Sequence, residues 1–362
     1  MSEQRRARVG ALAAVCWLAL VVAAQIAAGR EPTLVLSALY GMAPLIACAA
    51  VPAFGTALVG LAAIGLSVLS GVWTGTLGTE QHAVRLVNVA LIAVVAVVMA
   101  EVRVRRERRF ARVARIAEVA QRTILPVVPP QVGPVKVAAT YVAAGQDALV
   151  GGDLFDYYHS ADRTYFVVGD VRGKGVGAVE QAARVIRAFR QAAAGSTGLA
   201  SVAGSMSRYL VPFLGDEDFA TAVLVEVGER ELTIVSCGHP PPLLIRPAHG
   251  GVLLDAPPGL PLGLSDLYEE RTVPWELGSR LLLYTDGLSE ARDGAGEFLP
   301  VAPLAAQLET GTVADAVDAL LRIVRDYTVG QDATDDLAVV LLENAGTQAG
   351  ERDPRDHFLL QG

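Results

Sequence analysis

Ala220-Thr221-Ala222-Val223-Leu224-Val225-Glu226-Val227 runs through Gly228-Glu229-Arg230 and out again as Glu231-Leu232-Thr233-Ile234-Val235-Ser236. Two apolar, β-branched runs joined by three residues that start with glycine predict a β-hairpin. A hairpin makes sequence neighbours antiparallel neighbours in space, which a doubly wound parallel sheet does not. Further strand-like runs cover 135–141, 165–169, 243–246, 280–284 and 338–342, and helical stretches cover 176–194, 199–211 and 313–328. Residues 135–344 therefore read as one α+β domain, long enough to bury a core.

The rest of the 362-residue chain has a different character. Hydrophobic residues make up 52% of the chain and its mean hydropathy is +0.41, with the excess in the first hundred residues. A membrane helix takes about 20 apolar residues. The apolar stretches at about 9–28, 33–53, 56–72 and 86–101 thus predict an all-α, four-helix membrane domain over 1–101. Arg5, Arg6 and Arg8 before the first stretch could suggest a signal peptide, but the stretch is long for one and three more follow, so it reads as a retained helix. Arginine flanks the first stretch, and Arg103, Arg105, Arg106, Arg108, Arg109, Arg112 and Arg115 follow the last, which places both termini in the cytoplasm. Arg85 and Asn88 read as an interfacial arginine and a helix-packing asparagine in preference to a ligand site.

Residues 102–124 lack Pro and Gly and predict one helix. Phe110, Val113, Ile116, Val119 and Ala120 recur on it at helical spacing among arginines. That pattern fits a helix pairing a homodimer, a basic helix lying on anionic membrane lipid, or a plain tether. Pro126, Pro129, Pro130 and Pro134 break it, making 102–134 a linker with a Pro-rich boundary. Residues 345–362 are polar and are expected to form a disordered tail. Three scattered cysteines argue against a disulfide framework and a zinc site. A net charge of −8 without a basic, aromatic-interleaved surface argues against nucleic acid.

Acids recur at strand ends in the second half. Asp153 follows Leu149-Val150-Gly151-Gly152, with Asp156 beside it. Asp170 ends Phe166-Val167-Val168-Gly169 and opens the turn Val171-Arg172-Gly173-Lys174-Gly175. Asp286 ends Leu281-Leu282-Leu283-Tyr284-Thr285, and Thr334-Asp335-Asp336 precedes the last strand. Each alone reads as an ordinary turn. Converging carboxylates repel one another unless cations lie between them. Oxygen donors without a histidine cluster suit Mn²⁺ or Mg²⁺ over zinc. Two such ions about 3.5–4 Å apart can activate a water and clamp a phosphoryl group.

In this order the motifs resemble those of bacterial PP2C-type serine/threonine phosphatases of the sporulation stage II E group. Gly151-Gly152-Asp153-Leu154-Phe155-Asp156 is similar to their G-G-D-x-(Tyr/Phe)-Asp, and Gly169-Asp170-Val171-Arg172-Gly173-Lys174-Gly175 to their G-D-V-x-G-K-G. Gly238-His239-Pro240-Pro241-Pro242 resembles G-H-x-P-P, and Leu283-Tyr284-Thr285-Asp286-Gly287 with Glu290 resembles L-Y-T-D-G-x-x-E. Thr334-Asp335-Asp336 matches the closing acid pair, and Gln121-Arg122-Thr123-Ile124-Leu125-Pro126 the usual lead-in. The likeness covers about 118–343.

The resemblance implies a PP2C-like αββα sandwich of antiparallel sheets flanked by helices, with two Mn²⁺ or Mg²⁺ ions. It implies that Asp153, Asp170, the Val171 carbonyl, Asp286 and Asp335 hold the metals, with Asp156 and Asp336 supporting them. The implied reaction is hydrolysis of phosphoserine or phosphothreonine by metal-activated water, and the implied substrate is a phosphorylated anti-sigma-factor antagonist. Arg172 departs from the usual serine, and His239 reads as part of a rigid turn in preference to a general acid. A diguanylate cyclase also carries a Gly-Gly-Asp start but continues Glu-Phe, where this chain has Leu154-Phe155. The remaining alternative is a catalytically silent, membrane-tethered binding module. The helix over 176–194, directly after the Asp170 loop, is the expected element for regulation from the membrane side.

Overall fold

The computed structural model describes residues 3–29, 36–143, 151–215, 217–328 and 335–346. Leu149, Val150, Thr334 and most of the expected tail lie outside the described residues, as do Arg30 and Glu31. The chain divides into two compact units, 1–112 and 113–362. The division falls inside one helix, between the boundaries expected at 101 and 134.

The first unit contains α1 (Glu3–Ala27), α2 (Met42–Cys48), α3 (Ala53–Thr74) and the start of α4 (Glu80–Ile124). Three of these helices are long and apolar enough to cross a membrane. The stretch expected at 33–53 differs: its described part is a 3₁₀ turn, Ser37–Gly41, followed by short α2. Pro44 explains the 3₁₀ turn before α2, because its ring clashes with the carbonyl four residues earlier, at Tyr40, and it has no N–H to donate there. The apolar helix Ala38–Cys48 is about 16 Å long at about 1.5 Å per residue, half of a bilayer core. The fourth expected span and the linker helix form one element, the 45-residue α4. It stops at Ile124 because Pro126 disfavours helical backbone at Leu125.

Small residues pack this unit: Ala14, Ala43, Ala47, Ala63, Ala96 and Ala100 are fully buried, while Leu12, Leu20, Leu61, Leu69, Leu91 and Val98 face outward. Small-in, large-out is the pattern of helices whose surroundings are as apolar as their interior. Gly10 lies against Ala50, and Arg103 donates to the carbonyls of Ala49 and Val51 at 2.8 and 3.0 Å. Ser70 Oγ donates to Gln25 Oε1 at 3.4 Å, and Gly71 packs on the His82 ring. The start of α1, the α2–α3 turn and Arg103 thus share one end of the unit, while Ala27, Thr74 and Glu80 share the other.

The second unit holds two antiparallel sheets. Its strands are β1 (Gln131–Val132), β2 (Val135–Val142), β3 (Leu154–His159), β4 (Thr164–Val171), β5 (Ala220–Val227), β6 (Glu231–Cys237), β7 (Leu243–Arg246), β8 (Gly250–Leu253), β9 (Arg271–Pro274), β10 (Arg280–Tyr284) and β11 (Leu337–Asn344). One sheet has the order β1-β2-β11-β10-β7-β8 and the other β3-β4-β5-β6-β9. The opening hairpin is present, with Val227 opposite Leu232. Its helices are α5 (Val176–Gly195), α6 (Leu199–Leu210), the short α7 (Asp286–Ser289) and α8 (Ala305–Leu308), and α9 (Val313–Tyr327).

Three cores stack these layers. Phe166, Val168, Val223, Val225, Leu281, Leu283 and Val340 meet between the sheets. Tyr165 and Val167, on the other face of β4, pack on Val185, Phe189 and Met206 of α5 and α6. Leu282, Val339 and Leu341 pack on Val317 and Leu320 of α9. Each central strand is buried on both faces, which is why it reads as a continuous apolar run and does not alternate. The architecture is an α/β/β/α sandwich of antiparallel sheets, and the acid-bearing strand ends of both sheets converge at one edge.

Candidate metal centre

Asp153 lies at the start of β3, Asp170 near the end of β4, and Asp286 directly after β10 at the head of α7. One carboxylate oxygen from each lies within 4.8 Å of the other two. The backbone is shaped for this approach. A side chain on Gly152 would collide with the carbonyl oxygen of Val171, and one on Gly287 with that of Asp336. The glycines of the Gly-Gly-Asp and Thr-Asp-Gly motifs are therefore sites where one motif's backbone presses on another.

The charges are held at high cost. Asp153 is 3% exposed, and burial, then the Asp170 charge, pushes its carboxyl well above the usual range. Burial and the Asp286 charge raise Asp170 to about 7. Burial and Asp335 raise Asp286 in the same direction. Close carboxylates with raised affinity for protons are a site poised for a hard cation. The donor set is three carboxylates, with the Val171 carbonyl against Gly152, and it fits Mn²⁺ or Mg²⁺.

The other acids each take a partner of their own. Asp335 is exposed, and Lys174 Nζ lies 3.0 Å from its Oδ1. Asp336 is buried and accepts from the Tyr141 hydroxyl at 2.7 Å and from the Gly151 N–H. Asp156 is buried and takes a two-point contact from Arg190 on α5, at 2.6 and 3.2 Å.

Supporting residues come from far along the chain. Thr285 Oγ1, fully buried, donates to Asp153 Oδ2 at 2.6 Å and accepts from the Ala338 N–H at 2.9 Å. Gln121, near the end of α4 and 1% exposed, donates from Nε2 to the Asp153 carbonyl at 3.0 Å, and its Oε1 lies 3.1 Å from the Tyr141 hydroxyl. Gln121 lies in the lead-in motif and Thr285 in the Thr-Asp-Gly motif, and neither motif by itself gives the residue a role. The only signal was a polar residue inside an otherwise apolar or motif context. Arg190 and Tyr141 carried no signal at all.

A PP2C-like sandwich with clustered acids at one sheet edge is the class that fold and site define. The SiaA-PP2C domain of Pseudomonas aeruginosa has the same fold, with a TM-score of 0.55, 20% identity, and coverage of 66% of this chain and 97% of that one. The RsbU and RsbW domains of Rv1364c from Mycobacterium tuberculosis match with a TM-score of 0.51 and 26% identity, over 60% of this chain and 61% of that chain's length. The family model described as Stage II sporulation protein E (SpoIIE) matches residues 160–344, just over half of the chain. The chain belongs to the SpoIIE family of PP2C-type serine/threonine phosphatases.

Proposed function

We propose that this chain is a membrane-anchored protein phosphatase that hydrolyses phosphoserine and phosphothreonine at a centre holding two Mn²⁺ or Mg²⁺ ions. The observation that carries the reading is the packing of Asp153, Asp170 and Asp286 to within 4.8 Å in a SpoIIE-family sandwich. In this reading those three acids, the Val171 carbonyl and Asp335 hold the ions. Bound there, the ions supply an activated water and neutralise charge on the phosphoryl group.

The chain's own residues set the geometry. Thr285 and Gln121 fix the side chain and the backbone of Asp153. Tyr141 and the Gly151 N–H hold Asp336 behind the cluster, so it braces the Gly-Gly-Asp turn. Arg190 ties Asp156, and with it β3, to α5. Asp335, exposed and paired with Lys174, must exchange that cation for a metal ion. The exposed position of Asp335 keeps the centre open to a phosphorylated protein segment.

For the first unit we infer a multi-pass membrane domain with both ends and the phosphatase unit in the cytoplasm. The small-in, large-out packing supports the membrane, and the arginine-bearing ends of α1 and of the first half of α4 lie on the same side of the unit. We assign α1, the stretch ending in α2, α3 and the first half of α4 as its four crossings, with the basic part of α4 on anionic lipid or paired with a second copy. The substrate we infer is a phosphorylated anti-sigma-factor antagonist. The likeness to a chain that joins an RsbU to an RsbW domain supports a regulatory partner of that kind.

The test is hydrolysis of a phosphoserine peptide by the full chain in lipid nanodiscs, in ¹⁸O-water. Metal-dependent release of phosphate carrying one solvent oxygen, with no labelled protein, is the expected result. Folded protein that binds the peptide and releases no phosphate would make the silent binding module correct.

A further inference from the structure

His239 is not used by the mechanism above, yet it is 7% exposed and its ring makes two hydrogen bonds at the edge where the acids converge. Its Nε2 lies 3.0 Å from the Tyr284 carbonyl. A carbonyl only accepts, so Nε2 carries a proton and donates. Its Nδ1 lies 3.0 Å from Thr221 Oγ1. Burial lowers the ring's proton affinity to about 4, so the ring is neutral and Nδ1 accepts from the threonine hydroxyl. The same hydroxyl lies 3.4 Å from the Asp170 carbonyl, and the shorter contact takes its single proton.

The two partners stand in particular places. Thr221 is directly opposite Asp170 in the β4–β5 ladder. Tyr284 is the last residue of β10, two before Asp286. Asp170 and the strand that leads into Asp286 therefore belong to different sheets, and the core between those sheets is apolar and sets no direction. Gly238, at φ +72°, turns the chain out of β6 against Pro261 and aims the ring across the gap.

We propose that His239 is a positioning residue: a neutral imidazole strut from Thr221 to the Tyr284 carbonyl that fixes the spacing of Asp170 and Asp286 across the two sheets, and with it the separation of the metal ions. This rests on the phosphatase reading only in needing a centre that binds two ions. It assigns His239 no part in proton transfer.

The test uses full-length protein in nanodiscs loaded with Mn²⁺. His239→Gln retains a donor for Tyr284 and loses Thr221. His239→Asn retains an acceptor for Thr221 and loses Tyr284. Thr221→Val removes the hydroxyl. Titration calorimetry reads affinity, and electron paramagnetic resonance reads the coupling between the two ions. A strut predicts about 10-fold weaker binding of one ion in each variant and an altered or lost coupled signal, as when groups that orient metal ligands are removed. It also predicts that Thr221→Val and His239→Gln combine non-additively, that imidazole restores coupling to His239→Ala, and that residual activity keeps the wild-type pH profile. Wild-type affinity and coupling in all the folded variants would overturn the inference. So would loss of one limb of the pH profile at unchanged affinity, which would make His239 a proton donor. Failure of wild-type protein to bind Mn²⁺ would instead overturn the metal centre itself, and the strut with it.

Discussion

Removing a charge from the metal centre should stabilise the metal-free protein while destroying the site. The perturbation is Asp170→Asn. Burial and the Asp286 charge raise the Asp170 carboxyl from 3.8 to about 7. A group raised in this way stabilises the fold fully below its unfolded value, and that stability is lost as pH rises through its folded value. Three pH units at about 1.4 kcal/mol each come to about 4 kcal/mol. Asp170 is partly exposed and shares its protons with Asp153, so about 2 kcal/mol is the expected gain for the variant at pH 7.5. Urea unfolding of the full chain in nanodiscs measures it, with Trp275 in the inter-sheet core as the probe and Trp17 and Trp73 replaced by Phe. In EDTA the variant should be the more stable form at pH 7.5, and the gap should narrow as pH falls below 7 and close only below about pH 4, the unfolded value. With Mn²⁺ the order should reverse, because only the wild type gains from binding. A variant less stable than wild type in EDTA at pH 7.5 would refute the picture of mutually repelling acids.

Three further outcomes follow from the same geometry. Arg190→Ala leaves the buried Asp156 carboxylate without its guanidinium and should cost about 2 kcal/mol in urea unfolding, below the value for a fully buried pair because Arg190 is half exposed. Gly152→Ala forces a methyl group into the Val171 carbonyl and should cost about 1–3 kcal/mol together with measurable loss of Mn²⁺ affinity by calorimetry. For topology, Gly78→Cys should react with a membrane-impermeant maleimide in intact cells, whereas Arg109→Cys should react only after lysis, each in a background lacking the native cysteines.

The sandwich was legible because two-sided burial writes a plain signal. The runs at 165–169, 220–227 and 280–284 became the central strands β4, β5 and β10. β3 was missed as a strand because Leu154-Phe155-Asp156-Tyr157-Tyr158-His159 carries the motif acid and reads as a loop. β8 and β9 were missed because they are short edge strands with little burial. The second apolar stretch looked like a full helix because apolar composition does not register what Pro44 does to the turn before it. At the centre, the sequence motifs marked the three acids that converge. They left unmarked the division of labour among Asp156, Asp335 and Asp336, which depends on Arg190, Lys174 and Tyr141 arriving from other elements. Gln121 and Asp153 are 32 residues apart, and only the fold makes them partners.

The most direct test of the account is phosphate release from a phosphoserine peptide by full-length protein with Mn²⁺, with EDTA, and with Asp286→Asn, alongside a count of bound ions per chain. The account predicts two ions and steady turnover for the wild type, with turnover abolished by EDTA and by the substitution. Turnover that survives EDTA, or a folded wild type that binds no ion, would contradict it.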